Sequence, residues 1–412
     1  MAEPLKNLLG PKAVESIAAD VAAVYPSFDA RSFVSAASAK LEPLALTERA
    51  RHIAQVLRAH LPEDLEVALE LLGRSLGPAI SDADGPGLSV LRYFPHVFFV
   101  SAFGVPCFEA SMKFQHALTQ RFTAEFSMRA FLEACPEKTL ERLETWILDP
   151  NVHVRRLVSE GTRPRLPWAP QLLAFRRDPA PVLALLEKLK DDPELYVRRS
   201  VANNLNDIAK DHPELALDVA ERWAKHAKPE RQFVVKHALR TLVKKGHPRA
   251  LAILGFDHGP AVVLDELTVE PSRPKVGESF KLEATLLSTS ASPQRLLVDY
   301  AVRFAAKSQK TRRKVFKLDQ LTLGAGESVT VKRTVSLAQL STRKHYPGTH
   351  EIELLVNGRV FPGKTFEVDD AKAAPDDAKR TTAKRTTAKR TTATGKPKAK
   401  KVAKTRTAAK ER

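Results

Sequence analysis

Asp149-Pro150-Asn151-Val152-His153-Val154-Arg155-Arg156-Leu157-Val158 returns as Asp192-Pro193-Glu194-Leu195-Tyr196-Val197-Arg198-Arg199-Ser200-Val201, a shift of 43 residues. A weaker third copy, Phe233-Val234-Val235-Lys236-His237-Ala238-Leu239, follows about 38 residues further on. A period near 40 with two helices per unit is the signature of a HEAT-type solenoid. Asp before Pro starts the second helix of each unit, and Val and Leu at i, i+3 and i+4 bury it against its neighbours.

Upstream the helical period continues. Pro62 is expected to open one helix, with Glu63 and Asp64 in its first turn and Leu65, Leu69, Leu72 and Leu76 along one face. Ile53, Val56, Leu57 and Leu61 repeat the pattern just before it. Tyr93–Phe108 is the greasiest stretch, but Pro95, His96 and Pro106 interrupt it, and it is too short to span a bilayer. Residues 1–257 are therefore expected to form an all-α HEAT-like repeat domain.

Near Phe256 the period changes from helix to strand. Phe280, Leu282, Ala284 and Leu286 alternate with Lys281, Glu283 and Thr285, and Val298, Tyr300, Val302 and Phe304 do likewise. Asn357-Gly358 between two strand-like runs signals a hairpin. About seven short strands over residues 262–368 point to an all-β immunoglobulin-like sandwich. Both cysteines, Cys107 and Cys135, lie upstream of it, and two cannot build a disulfide framework or a cysteine-rich zinc site.

The charge is unevenly spread. The 412 residues carry 66 Lys+Arg against 48 Asp+Glu, a formal +18. Residues 371–412 hold 15 cations and 3 anions of that total, so two thirds of the excess lies in a tenth of the chain. This segment repeats Ala-Lys-Arg-Thr-Thr three times from Ala378 to Thr392, has no aromatic, and is expected to be disordered. Spaced cations on such a tail bind phosphate by counterion release. A solubilising tail or a membrane-surface contact would share the composition, but no apolar anchor favours the membrane. A second basic element, Lys307-Ser308-Gln309-Lys310-Thr311-Arg312-Arg313-Lys314, falls between two predicted strands and is expected to be a loop on phosphates. The opening residues lack a basic region followed by an apolar run, so the chain is expected to be soluble and cytoplasmic.

In the first repeat Arg156, Glu160 and Arg163 share one helical stripe. Arg199, Asn203 and Asn206 follow in the second, and His237, Thr241 and Lys244 in the third. This ladder suits a phosphate backbone, although an ordinary wet helix face has the same spacing. Glu160 is its odd member, because a carboxylate there repels phosphate and requires either a salt bridge or a chemical purpose. Beyond it, Pro164, Pro167 and Pro170 frame Trp168, which is either packed inward or displayed at the groove. Glu125 either joins this group or pairs with Arg129 at i+4.

The block Asp149–Trp168, with its Arg-Arg-x-x-x-Glu-Gly-Thr-Arg-Pro core, together with Thr123-Ala124-Glu125-Phe126-Ser127-Met128-Arg129, resembles the AlkC branch of the HEAT-like DNA alkylation repair glycosylases. The opening Glu3-Pro4-Leu5-Lys6-Asn7-Leu8 and the appended sandwich are similar to that branch too. The resemblance implies a monofunctional enzyme that acts on duplex DNA containing alkylated bases. It would release cationic N-alkylated bases, chiefly 3-methyladenine and also 1-methyladenine and 3-methylcytosine. It implies no metal or other cofactor, an abasic product, and no conventional flipped-base pocket. Glu125, Glu160 and Trp168 carry over as the catalytic group. Arg156 and Arg163 are expected to hold phosphate, helped by Arg199, Lys310, Arg312, Arg313 and Lys314. The expected setting is a monomer, without obligate protein or membrane partner, in a bacterial cytoplasm and associated with the nucleoid. The competing readings are a HEAT protein scaffold, which calls for an apolar groove where this stripe is polar and charged, and a non-catalytic DNA-binding protein, which does not account for Glu125 and Glu160 near Trp168.

Overall fold

The computed structural model describes residues 5–80, 87–306, 311–340 and 343–371. Among them, sixteen α-helices from Pro11–Ala22 to Pro248–Ile253 precede seven strands. Lys307, Lys310 and the basic segment from residue 372 onward lie outside the described residues.

The Asp-Pro motif works as a knot. Arg155 Nη1 donates to the carbonyls of Asp149 and Pro150 at 2.9 and 3.1 Å. Arg198 repeats this on Asp192 and Pro193, both at 2.6 Å. Arg155 Nε also reaches Asp192 at 2.7 Å, tying one repeat to the next. The first arginine of each Arg-Arg pair is thus committed to the turn, which leaves Arg156 and Arg199 for the other side. The helices Val152–Gly161, Leu195–Ile208 and Pro229–Ala238 pack in series.

Two expected helix boundaries need correction. The helix expected from Pro62 begins at Leu65, because the Asp64 carboxylate caps it by accepting from the amides of Glu66 and Val67. The third repeat helix stops at Ala238, so Thr241 and Lys244 sit on the following short helix, Arg240–Lys244.

The sandwich has one sheet ordered β1-β2-β5, with β1 Val262–Glu270, β2 Ser279–Ser288 and β5 Ser328–Ser336. The other is ordered β4-β3-β6-β7, with β3 Gln294–Phe304, β4 Arg312–Leu323, β6 Gly348–Val356 and β7 Arg359–Val368. All pairings are antiparallel. Phe280, Leu282, Ala284 and Leu286 all point inward, as their alternation requires. Asn357 and Gly358 take φ of 46° and 79° in the β6–β7 turn, a left-handed pair that this hairpin needs. Arg312, Arg313 and Lys314 are the first residues of β4 and not a loop. Strand pairing extends through them, and the Arg313 guanidinium donates to Glu353 at 2.9 Å.

A small apolar joint of Leu251, Phe256 and Leu297 seats the sandwich on the last helix of the solenoid. Asn357 Nδ2 crosses it to the carbonyl of Asp257 at 2.9 Å. Gly246 and Gly358 meet backbone to backbone, where a Cβ on Gly358 would stand 2.6 Å from the Gly246 Cα. No helix among the described residues is long and apolar enough to cross a membrane.

Candidate active site

The polar group assembles from three separate segments. The Val152–Gly161 helix supplies Arg156 and Glu160, the turn before the Met128–Ala134 helix supplies Glu125, and the proline-rich loop supplies Arg163 and Trp168. Arg156 bridges both glutamates, at 2.9 Å to Glu125 and 3.6 Å to Glu160. Arg163 donates to Glu160 at 2.7 Å and, through Nε, to Asp207 at 2.8 Å. Ser200 completes the shell by donating to Glu160 Oε2 at 2.6 Å.

The electrostatics follow from this wiring. Burial pushes the Glu160 carboxyl up, but Arg156, Arg163 and the Ser200 hydroxyl outweigh it, so it stays ionised below its ordinary value. Burial likewise works against the Arg156 and Arg163 cations, and their carboxylate partners more than restore them. The Arg156 guanidinium also lies 4.9 Å over the Tyr196 ring. Glu125 accepts from Arg156 and from the Thr123 hydroxyl on Oε2 alone. Its Oε1 has no bond among the described residues, and the residue lines a cleft of about 630 Å³.

That cleft is apolar apart from the glutamates, Arg163 and two threonines; Leu46, Phe94, Phe122 and Phe126 form much of its wall. Trp168 stands at its mouth, 86% exposed and with φ of 64°, a left-handed conformation that a bulky residue adopts only when its loop imposes it. The loop is pinned from both sides. Leu166 is buried, and Arg165 makes a two-pronged bond to Asp211, which Arg176 also clasps.

Of the expected site residues, Glu125, Glu160, Trp168, Arg156 and Arg163 come together. Arg163 is only 8% exposed and is engaged by two carboxylates, Glu160 and Asp207. The local Glu125–Arg129 pair does not form, since Arg129 Nη1 instead donates to the Arg163 carbonyl at 2.9 Å. The ladder is largely hydrogen-bonded within itself, with His237 on Asn203 and Thr241 on Asn206. Arg199 and Lys244 remain as exposed cations. Ser200, Asp207 and Tyr196 escaped the sequence reading because each reaches the site from a neighbouring repeat. His153 packs edge-on against Tyr196, and no metal-holding cluster of His, Cys, Asp or Glu occurs among the described residues.

Comparison with known proteins identifies the family. Residues 117–242 match the family model described as DNA alkylation repair enzyme. Residues 263–370 match the C-terminal Ig-like domain of the YhaZ proteins. YhaZ of Bacillus subtilis (strain 168), an uncharacterised protein, is 38% identical over 88% of this chain and 99% of its own length. The Pseudomonas fluorescens alkylpurine DNA glycosylase AlkC, solved bound to DNA containing an abasic site analog, is also 38% identical. That match covers 89% of this chain and 99% of the other, with a TM-score of 0.81. The chain belongs to the AlkC branch of the DNA alkylation repair enzymes, DNA glycosylases that join a HEAT-like helical domain to an immunoglobulin-like one.

Proposed function

We propose that this glycosylase hydrolyses the N-glycosidic bond of cationic alkylated bases in duplex DNA. The substrates would be 3-methyladenine and also 3-methylcytosine and 1-methyladenine, each cut to leave an abasic site. The observation that carries this reading is the Glu125–Arg156–Glu160–Arg163 cluster beside an exposed Trp168.

A methylated ring nitrogen already makes the base a good leaving group, and its departure builds positive charge on the deoxyribose. A carboxylate ~4 Å away at an effective dielectric near 20 attracts that charge by roughly 4 kcal/mol. Only the part gained in the transition state accelerates the reaction, and the whole is about a thousandfold. Such aid suffices for a labile cationic base and fails on a neutral one. Glu125 Oε1 would take the water and the sugar cation. Glu160, held by two arginines and Ser200, would supply fixed negative charge behind it. Trp168 would lay its ring on the sugar and add a cation–π contribution. The exposure of Trp168 at the mouth of the cleft suits a base attacked without entering a conventional pocket.

Grip on the duplex would come from Arg199 and Lys244 on the solenoid and from Arg312 and Lys314 on the sandwich, closing opposite the helices. Arg313, engaged by Glu353, would contribute less. Lys310 and the tail would add nonspecific affinity. The chain would act as a monomer in the bacterial cytoplasm near the nucleoid.

The test is release of 3-methyladenine and 3-methylcytosine from methylated duplex DNA by the wild type, Glu125→Gln and Glu160→Gln. Release by the wild type and a loss of at least tenfold in both variants is expected. Unimpaired release by both variants sinks the assignment. Removing residues 371–412 should flatten the salt dependence of binding and spare excision.

A further inference from the structure

Arg156 and Arg163 grip the same Glu160 but are not held alike. Arg163 is fixed in the plane of its guanidinium by hydrogen bonds to Glu160 at 2.7 Å and to Asp207 at 2.8 Å. Arg156 reaches Glu125 at 2.9 Å and Glu160 at 3.6 Å, a looser bridge between the two carboxylates that face the reaction. Its flat face is steadied from the next repeat. Tyr196, second residue of the Leu195–Ile208 helix, sets its ring centroid 4.9 Å from the guanidinium carbon. His153, one turn before Arg156 on its own helix, meets the same ring edge-on at 5.6 Å and 75°. The spacing behind this stack is locked separately. Arg155 bonds to Asp192 at 2.7 Å, and Tyr196 follows Asp192 by four residues, so adjacent arginines engage one turn of the second repeat. Tyr196 is nonetheless 42% exposed, a large ring held at the groove and not in the core, and its hydroxyl has no hydrogen-bond partner among the described residues.

We propose that Tyr196 is a positioning residue of this active site, its ring face holding the Arg156 guanidinium flat so that Glu125 and Glu160 keep fixed places. The inference rests on the glycosylase reading above. A ring stacked on a guanidinium leaves the N–H groups in the plane free for carboxylates, so it adds hold without competing for them. Glu125 accepts from Arg156 on Oε2, and that bond aims its other oxygen. Without the ring, Arg156 rocks on its stem, and the aim of Glu125 and the charge balance at Glu160 slacken together. The role belongs to the ring and not to the hydroxyl.

The experiment measures 3-methyladenine release from methylated duplex DNA, under multiple turnover, by the full chain and by Tyr196→Phe and Tyr196→Leu. Tyr196→Phe keeps the ring and should stay within twofold of the wild type in kcat and KM. Tyr196→Leu keeps apolar bulk without a ring face and should lower kcat about tenfold, with KM within twofold. The acid limb of its kcat profile should also move to higher pH, because a slack Arg156 opposes protonation of Glu160 less firmly. In an Arg156→Gln background the same Tyr196→Leu change should cost less than about a further twofold, as expected of two residues acting as one unit. Where Tyr196→Leu fails to fold, Tyr196→Met takes its place. A loss in KM with kcat unchanged would make Tyr196 a DNA contact. Equal losses in Tyr196→Phe and Tyr196→Leu would put the role on the hydroxyl, and full additivity with Arg156→Gln would show that Tyr196 acts apart from Arg156. Each of these overturns the proposal. No release by the wild type removes the glycosylase reading and this role with it, whereas release by the wild type with kcat unchanged in Tyr196→Leu removes this role alone.

Discussion

Asp207 accepts a hydrogen bond from Arg163 Nε at 2.8 Å, which sets a carboxylate from the second repeat behind the Glu160 of the first. Asp207 is 1% exposed, and Lys210 closes its other oxygen at 2.8 Å. Arg163 therefore serves two anions and holds Glu160 in place by being held itself.

Asp207→Asn would leave the buried Arg163 short of one counter-charge. Breaking one side of such a pair costs about 3 kcal/mol, to be read as a lower midpoint in urea unfolding. Base release by the folded fraction should fall less than in Glu160→Gln. A variant as stable as the wild type would show that Asp207 does not brace Arg163.

The pH dependence follows from Glu160. Its folded-state pKa is depressed, so the ion-pair stabilisation is present above the unfolded value of 4.5 and lost as pH falls through the folded one. The Glu160 contribution to activity should persist through the ordinary carboxylate range and be lost below it. Arg156→Gln removes the strongest attraction on Glu160 and should move the acid limb of the kcat profile to higher pH. An unmoved limb would mean that Glu160 does not control it.

Trp168 offers the cleanest separation of function from folding. Its ring is exposed, so Trp168→Ala should change Tm little, while base release drops at least tenfold. Asp211→Ala should act through the same loop by freeing Arg165 and Arg176. Restored release in Asp211→Glu, with Trp168 fluorescence returning to the wild-type spectrum, would identify a positioning role. A large stability loss in Trp168→Ala would contradict this view.

What the sequence showed depended on whether a residue acts along its own chain or across to another segment. The 43-residue shift exposed the stacked helices because each Asp-Pro knot is closed by an arginine of the same motif, six residues after its aspartate. Alternation exposed β2 because one face of it is buried, whereas β3 is buried on both faces from Leu296 to Val302. Glu125, Glu160 and Trp168 stood out through a family motif, and the fold brings them together. The partners were not. Ser200, Tyr196 and Asp207 come from the adjacent repeat, and helical spacing says nothing of what stands opposite. The same blindness hid the two carboxylates that engage Arg163. Lys307–Lys314 read as a loop because charge suggested exposure, whereas the β3 backbone still had a ladder to complete at Arg312.

Asp299 on β3 has a carboxyl pushed up to about 6 by burial, against weaker attraction from Lys244 and Lys317. Its folded pKa lies above the unfolded 3.8, so its favourable contribution is complete at low pH and lost as pH rises through 6. Asp299→Asn should therefore stabilise the sandwich by about 1–3 kcal/mol at pH 8 and by much less at pH 4. Urea unfolding at the two pH values checks this. Equal effects at both would show that the charge is not what is costly.

Arg199 and Lys244 are exposed and make no ion pair among the described residues, unlike Arg156, Arg163 and Arg313. If they follow the DNA backbone, each contact releases condensed counterions, and the slope of log K against log salt reports their number at about 0.9 per phosphate. Arg199→Ala and Lys244→Ala should each flatten that slope by about 1 and weaken binding alike on every sequence. Arg163→Ala should behave differently, because its loss unseats Glu160: excision falls while the salt slope stays. A slope that responds to Arg163 and ignores Arg199 would return the phosphate contact to the buried cluster and leave the exposed cations as solvent-facing charges only.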